Sequence, residues 1–234
     1  CFQGPVLARE GSRADVQMLV DGVEHLADEA GVVSISFTPH PLVSVELLEP
    51  ILTASGYASR SLATLIVDLS EDFEKSMHRS VAKNARKCRR NGIAVEIVGD
   101  HELVSYYHLI DNFRKEAGLR RFSLDDYMIH REVFKERRVL FGARFEGQFI
   151  AALGVHAFNG LLIECESATG RACFERNLFA NDLLKLEIMR WGRERGFQFF
   201  DLAGVAVEPK NKKEEGIKRY KSKFGGKYLP YIAF

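Results

Sequence analysis

Three acidic side chains lie in two short apolar segments of this 234-residue chain, where carboxylates could act on an amine. Glu164 and Glu166 alternate within the segment LLIECESA, and alternation along a strand predicts that both lie on one face. Such a pair is a candidate base or amine-binding site, whereas a solvated strand face is the other explanation. Asp201, in the segment FQFFDLA, either orients a reacting amine or caps the turn that follows.

Basic side chains are concentrated in two runs, although the formal net charge is only +1. Residues 79–90 carry six basic side chains and no acidic one, and residues 208–227 carry eight basic against three acidic ones. Each run indicates either a polyanionic partner or a solvated helix face. The candidate phosphate contacts are Arg86, Lys87, Arg89 and Arg90 in the first run, at helical spacings of three and four, and Lys218 in the second.

Cysteine and histidine spacing argues against a metal centre or a disulfide scaffold. The four cysteines form no C-x-x-C pair and the seven histidines are scattered. No apolar stretch approaches the roughly 20 residues that span a bilayer. We therefore expect a cytoplasmic protein without a metal site or a transmembrane segment. Because the sequence does not begin with Met and opens on a strand-like segment, we also expect it to be part of a longer chain.

Hydrophobic periodicity predicts helices and strands that alternate along the chain. The predicted helices span residues 14–30, 42–54, 70–91, 101–116, 124–135 and 177–195, and the predicted strands span 32–37, 63–69, 93–98, 139–146, 149–158, 161–168, 197–203 and 228–234, with a charged helix before the last strand. Ser70 is the expected N-cap of the long basic helix. Asn159-Gly160 predicts a tight hairpin turn within a three-stranded meander.

An antiparallel meander followed by a helix and a further strand is the order found in the GNAT acyltransferase fold. The predicted fold class is therefore α/β (α+β), with a mixed, largely antiparallel sheet flanked by helices. Coenzyme A users of this fold usually carry a glycine-rich loop after the meander, whose backbone N–H groups bind pyrophosphate at a helix N-terminus. The corresponding residues 168–182 contain one glycine, Gly170, which argues against that kind of pyrophosphate site.

Four stretches carry a more specific resemblance. They are GPVL (residues 4–7), TLIVDLSEDFEKSMHRSVAKNARKCRRNGIAVEI (64–97), FFDLAG (199–204) and GIKRYKSKFGGKY (216–228). Together they resemble the Fem family (FemABX) of aminoacyl-tRNA-dependent peptidyltransferases, and the aromatic-Lys-x-x-Phe-Gly-Gly element is the most specific part. The resemblance implies two GNAT-like lobes, with residues 1–70 as the back part of an incomplete first lobe and residues 71–234 as the second.

The resemblance also implies an activity. Members of the family transfer an amino acid from aminoacyl-tRNA to an amine of a peptidoglycan precursor, without coenzyme A or another cofactor. The implied partners are aminoacyl-tRNA and a UDP-linked or lipid-linked muropeptide, and a lipid-linked acceptor would bring peripheral membrane contact. The front of the first lobe and the tRNA-contacting helical hairpin of some members have no counterpart in this chain. Relatives that serve exopolysaccharide or natural-product assembly share the motifs, so the acceptor stays open.

The family's functional lysine corresponds to Lys221, and a cation held beside a carbonyl would stabilise the oxyanion of ester aminolysis. A solvated helix lysine is the alternative. Tyr220 either stacks on the terminal adenine or packs in the core. Gly225 and Gly226 allow a close approach to a ligand or a plain turn. The predicted catalytic set is Lys221, Asp201 and Glu166, and the predicted substrate-binding set is Tyr220, Glu164, Gly225, Gly226, Arg121 and Tyr107.

Arg121 and Tyr107 belong to this set because each lies in a polar and aromatic stretch that could line an acceptor cleft, although surface and core roles explain them as well. Two other functions compete with aminoacyl transfer. One is a coenzyme A-dependent N-acyltransferase of the same fold, and the other is a binding module without catalysis.

Overall fold

The computed structural model describes residues 12–42 and 45–234. In chain order the elements are α1 (Arg13–Glu29), α2 (Leu48–Ala54), β1 (Arg60–Asp68), α3 (Phe73–Ser76), α4 (Arg79–Arg90), β2 (Ala94–Ile97), α5 (Leu103–Glu116), α6 (Leu124–Phe134), β3 (Arg138–Phe145), β4 (Gln148–Phe158), β5 (Leu161–Thr169), α7 (Arg171–Glu175), α8 (Ala180–Glu194), β6 (Phe199–Val205), α9 (Lys212–Ser222) and β7 (Lys227–Ala233). The GPVL stretch lies outside the described residues.

Within residues 12–42 and 45–234, seven strands form one mixed sheet in the order β2-β3-β4-β5-β6-β1-β7. Strands β2 to β5 pair antiparallel with their neighbours, and β5 pairs with β6 in parallel. The turn between β4 and β5 has positive φ at Asn159 (47°) and Gly160 (76°), as a two-residue hairpin of this hand requires. The predicted meander and the predicted fold class, a largely antiparallel sheet flanked by helices, are confirmed.

The parallel pairing of β5 with β6 is short. It covers three residue pairs, from Leu161 with Phe199 to Ile163 with Asp201. Strand β5 continues to Thr169 and β6 to Val205, so the regular ladder ends beside Glu164 and Asp201. Two predicted site carboxylates therefore lie where these strands stop pairing.

Helices pack on both faces of the sheet formed by β3, β4 and β5. On one face, α5 and α6 cover a core that includes Leu140 and Ala152. On the other face, the ring of Phe141 lies 5.2 Å from that of Trp191 in α8. Neighbouring residues of a strand point to opposite faces, so the assignment of Leu140 and Phe141 to different helices follows from the pleat.

Contacts divide the chain into two compact units, residues 1–64 with 204–215 and 228–234, and residues 65–203 with 216–227. In the first unit, α1 begins with a capping box between Ser12 and Asp15. The core of the first unit contains Val16, Val20, Phe37, Leu48, Ile51, Leu52 and Phe234. The backbones of Phe37 and Phe234 exchange two hydrogen bonds of 2.8 Å. The candidate site described below lies in the second unit.

Several predicted boundaries are wrong. Residues 32–37 form no strand, and α2 begins at Leu48. The helix expected from Ser70 is split, because Met77 has an extended backbone (ψ 144°) and His78 starts α4 as a new N-cap that accepts from Ser80 N. The helix expected over 177–195 begins three residues later than predicted, at Ala180, because Asn177 has a positive φ of 52° in the connection after α7. These breaks lie in polar segments whose residues are compatible with a helix, so the hydrophobic pattern does not reveal them.

Candidate active site

The segment that follows α9, residues 224–226, packs tightly within the second unit. Phe224 is fully buried, and its ring packs edge-on against Tyr220 at 5.5 Å. Gly225 has φ +80°, and a Cβ there would lie 2.3 Å from Ser76 Oγ and 2.9 Å from Ser76 backbone atoms. At Gly226 a Cβ would meet the backbone of Ile66 at 3.3 Å. The two glycines therefore allow close approach of the chain to itself.

Lys221 lies near the end of α9 within a cluster of buried charges. Glu164 of β5 and Lys185 of α8 form a buried ion pair, with side chains 8% and 2% exposed. Asp201 is also buried, and its Oδ1 accepts a 2.7 Å hydrogen bond from Ala203 N. Burial lowers the pKa of Lys221, and Lys185 lowers it further, whereas Glu164 and Asp201 oppose the shift. The structure thus brings Lys221, Glu164 and Asp201 together.

Glu164 and Glu166 face opposite sides of the sheet, so their expected common face is wrong. Strand β4 pairs Gly154 with Glu166 and the next residue, Val155, with Glu164. Cys165 is therefore an extra residue in a β-bulge, which reverses the alternation. Glu164 contacts Lys185 on the α8 side, whereas Glu166 contacts the helices on the α5 side.

On its own face, Glu166 is held by three donors. Tyr106 Oη donates to Oε1 at 3.2 Å, Arg138 Nη2 donates to Oε1 at 2.9 Å, and Tyr127 Oη donates to Oε2. Burial and the Glu166 carboxylate raise the pKa of Tyr127, so its hydroxyl stays a donor. Gly154 makes room, because a Cβ there would lie 2.8 Å from Glu166 Oε1. The arrangement favours a fixed carboxylate that ties α5 and α6 to the sheet.

Asp182, in the first turn of α8, joins three elements. Its carboxylate is 2% exposed and accepts from Lys223 Nζ at 2.7 and 2.8 Å. Asn84 Nδ2 of α4 donates to Oδ2 at 2.7 Å. Lys223 Nζ also lies 4.2 Å from the centre of the Tyr220 ring. Burial, with the charges of Asp182 and Glu164, raises the pKa of Tyr220 well above its ordinary value.

The first turn of α8 does not fit the pyrophosphate of coenzyme A. A helix N-terminus binds phosphate through free N–H groups and the positive end of the dipole. In this chain the buried Asp182 carboxylate already places a negative charge there, and Asp182 N donates to Phe179 O at 2.9 Å. The helix dipole is therefore already compensated by a carboxylate, which is itself held by Lys223 and Asn84, so little positive field is left for a second anion.

A row of exposed cations follows one face of α4. Arg79, Lys83, Arg86 and Arg90 are spaced four, three and four residues apart, and none has an ion-pair partner among residues 12–42 and 45–234. We call these four residues the cation row. The row borders two open depressions of about 500 and 480 Å³, which also include His78, Ser80 and Arg89. At 1.5 Å per residue the row is about 16 Å long.

The other predicted phosphate contacts are placed differently. Lys87 Nζ donates to Asn177 O at 2.8 Å, and Arg89 pairs with Glu187 of α8. Lys218 lies on α9, and its carbonyl accepts from Ser222 Oγ at 2.7 Å. Of the predicted set, Arg86 and Arg90 belong to the cation row.

Arg121 and Tyr107 act within the connection between α5 and α6. Arg121 makes a bidentate contact with Asp111, with both distances 2.6 Å, and holds the pKa of that carboxyl below its usual range. Tyr107 Oη donates to Phe122 O at 3.0 Å. These contacts fix the α5–α6 connection, which is separate from the cluster around Lys221.

Sequence reasoning missed Lys185, Asp182, Asn84 and Lys223. Lys185 and Asp182 are charged positions within the apolar stripe of α8, where Leu183, Leu184 and Leu186 are buried. A charge on the buried face of a helix is a readable signal of pairing. Within the described part of the chain, no group of three or more His, Cys, Asp or Glu side chains could hold a metal ion, and no helix is long and apolar enough to cross a bilayer.

No protein-family model matches this chain, and no curated protein matches it. Solved structures do. The crystal structure of FemX has a TM-score of 0.73 and 12% identity, covering 94% of this chain and 77% of that one. The C-terminal domain assigned to a lysylphosphatidylglycerol synthetase from Agrobacterium fabrum has a TM-score of 0.66 and 19% identity, covering 95% and 74%. A tandem GNAT protein from the clavulanic acid biosynthesis pathway has a TM-score of 0.57 and 15% identity, covering 97% and 70%.

At these identities the likeness is one of fold. The chain has a Fem-like GNAT fold, which confirms the resemblance at that level.

Proposed function

We propose that this chain is an aminoacyltransferase that moves an amino acid from aminoacyl-tRNA to an amine of a peptidoglycan precursor. The observation that carries the proposal is the position of the half-buried Lys221 beside the buried charges of Glu164, Lys185 and Asp201, where β5 and β6 stop pairing. The motif resemblance to the Fem family and the fold shared with FemX support the same reading. The cation row supplies a surface for the tRNA phosphates.

The proposed reaction is the aminolysis of an ester. The neutral acceptor amine attacks the aminoacyl carbonyl, the C–N bond forms and the C–O bond to the ribose breaks. The amine proton ends on the departing ribose oxygen. The Lys221 ammonium stabilises the oxyanion of the tetrahedral intermediate, and the carboxylates of Glu164 and Asp201 favour its charged form. Asp201 is the candidate that orients the amine or Lys221.

Glu166 takes a supporting role in this proposal, because three donors already occupy its carboxylate on the opposite face of the sheet. The first turn of α8 supports a donor other than coenzyme A, since the Asp182 carboxylate, held by Lys223 and Asn84, already compensates the helix dipole there. The similar structures identify no acceptor for this chain, and the peptidoglycan amine rests on the motif resemblance.

The test is transfer of a radiolabelled amino acid from a mixed pool of charged tRNA to a muropeptide precursor, with labelled acetyl-CoA as a parallel donor. Transfer from tRNA that RNase abolishes is the expected result. Lys221→Ala should lower the transfer rate about 10²- to 10³-fold, whereas Lys213→Ala, which replaces an exposed lysine of the same helix, should leave it unchanged. Label arriving only from acetyl-CoA would contradict the proposal and favour an N-acyltransferase.

A further inference from the structure

Helix α4 has two different faces. The cation row is exposed, whereas Asn84 points toward α8 and donates to Asp182. Val81, Ala85 and Cys88 are buried on this inner side. One rigid helix of 12 residues therefore presents cations to an outside ligand and a hydrogen bond to the interior.

Through Asp182, the hydrogen bond from Asn84 is linked to a residue next to the candidate site. Asp182 accepts from Asn84 and binds Lys223 through both carboxylate oxygens. Lys223 lies two residues after Lys221, directly beyond the end of α9. Because Asp182 is buried, each of these hydrogen bonds is shielded from water and strengthened by charge.

The start of α4 contacts the same segment. His78, its N-cap, donates its backbone N–H to Lys223 O at 2.8 Å. Gly225 lies against Ser76 so closely that a Cβ would clash with the Ser76 backbone. Ser76 is the last residue of α3, so Gly225 is held by the helix before α4. A shift of α4 would move against Lys223, at the hydrogen bond from His78 N and, through Asp182, at the contact with Asn84.

We propose that Asn84, Asp182 and Lys223 are positioning residues that link RNA bound on the cation row to the placement of Lys221. The link rests on the proposed function and adds a role for the body of the tRNA. Phosphates on the row fix α4, α4 fixes Asp182 through Asn84, and Asp182 fixes Lys223 and with it the end of α9. A donor whose phosphates reach the row should therefore have a higher kcat, and not only a lower KM.

The test compares two donors, aminoacyl-tRNA and an aminoacyl-adenosine, which carries the ester but has no phosphate to bind the row. The measured quantity is the ratio of kcat with tRNA to kcat with the aminoacyl-adenosine. It should exceed 1 in the wild type, and Asn84→Ala should lower it about tenfold, the effect of one hydrogen bond to a charged group. Asn112→Ala, on an exposed position of α5, should leave the ratio at the wild-type value.

An unchanged ratio in Asn84→Ala, which includes an equal loss with both donors, would overturn the link and leave Asn84 with a purely structural role.

A second readout needs no turnover. Phe224 and Gly225 donate their amides to Lys221 O and Ser222 O at 3.1 and 3.2 Å. Uncharged tRNA should slow hydrogen exchange of these two amides in the wild type, and the slowing should be lost in Asn84→Ala. Equal slowing in both proteins would overturn the link. If neither donor is used but the exchange difference is present, the proposed function fails and the link stands.

Discussion

Glu164 and Glu166 lie two residues apart on one strand, yet their surroundings differ completely. Glu164 shares a buried ion pair with Lys185 and lies near Lys221, at the end of the β5–β6 ladder. Glu166 is bound by two tyrosines and Arg138 under α5 and α6. The bulge at Cys165 separates them. Because of this single inserted residue, Glu164 lies at the candidate active site, whereas Glu166 belongs to the hydrogen-bond network that joins α5 and α6 to the sheet.

The largest difference between the two carboxylates is expected when Glu164 loses its ion-pair partner, Lys185. Lys185→Ala leaves a buried carboxylate unpaired, which costs about 3–5 kcal/mol of the free energy of unfolding. Urea denaturation measures the change. The double variant Glu164→Gln/Lys185→Met removes both charges and should be closer to the wild type. A loss below about 1 kcal/mol in Lys185→Ala would show that the pair is not buried as described.

A substitution at Gly154 should disturb the network around Glu166 and leave the surroundings of Glu164 unchanged. Gly154→Ala places a Cβ 2.8 Å from Glu166 Oε1 and 3.1 Å from Leu140 Cδ2, so the Glu166 network must shift. We expect a loss of about 1–3 kcal/mol in unfolding free energy. Ala152→Gly on the same strand is a control for the strand propensity change. If Gly154→Ala is as stable as the wild type, Glu166 does not lie across β4.

The smallest expected effect is on pH dependence. An ammonium is needed for oxyanion stabilisation, so the transfer rate should fall as pH rises through the pKa of Lys221, at a pH below that of an ordinary lysine. Lys185→Met removes a neighbouring cation that lowers this pKa, so the alkaline limb should move to higher pH. A shift of the alkaline limb by one pH unit would correspond to about 1.4 kcal/mol of repulsion between the ammonium groups of Lys185 and Lys221. A limb that moves to lower pH would contradict the arrangement of charges.

Much of the fold follows from local sequence, and the exceptions have physical causes. The Asn159-Gly160 hairpin and the amphipathic stripe of α1 depend on neighbours in sequence, so their patterns are readable. The bulge at Cys165 depends on how β4 pairs with β5, and strict alternation misplaces Glu166. Such pairing is set by tertiary contacts.

The candidate site is predictable only in part. Motif and strand position indicate Lys221, Glu164 and Asp201, and the structure brings these three together. The partners Lys185, Asp182 and Asn84 come from helices distant in sequence, so no local pattern pairs them with the motif.

In the proposed reaction, Lys221 stabilises the transition state from its half-buried position beside Glu164, Lys185 and Asp201. The direct measurement is single-turnover transfer from saturating aminoacyl-tRNA with wild type and Lys221→Ala, alongside tRNA affinity and unfolding free energy. We expect the rate to fall about 10²- to 10³-fold while affinity stays within about twofold and the fold stays intact. A rate equal to the wild type, or a loss fully accounted for by weaker tRNA binding, would contradict the claim.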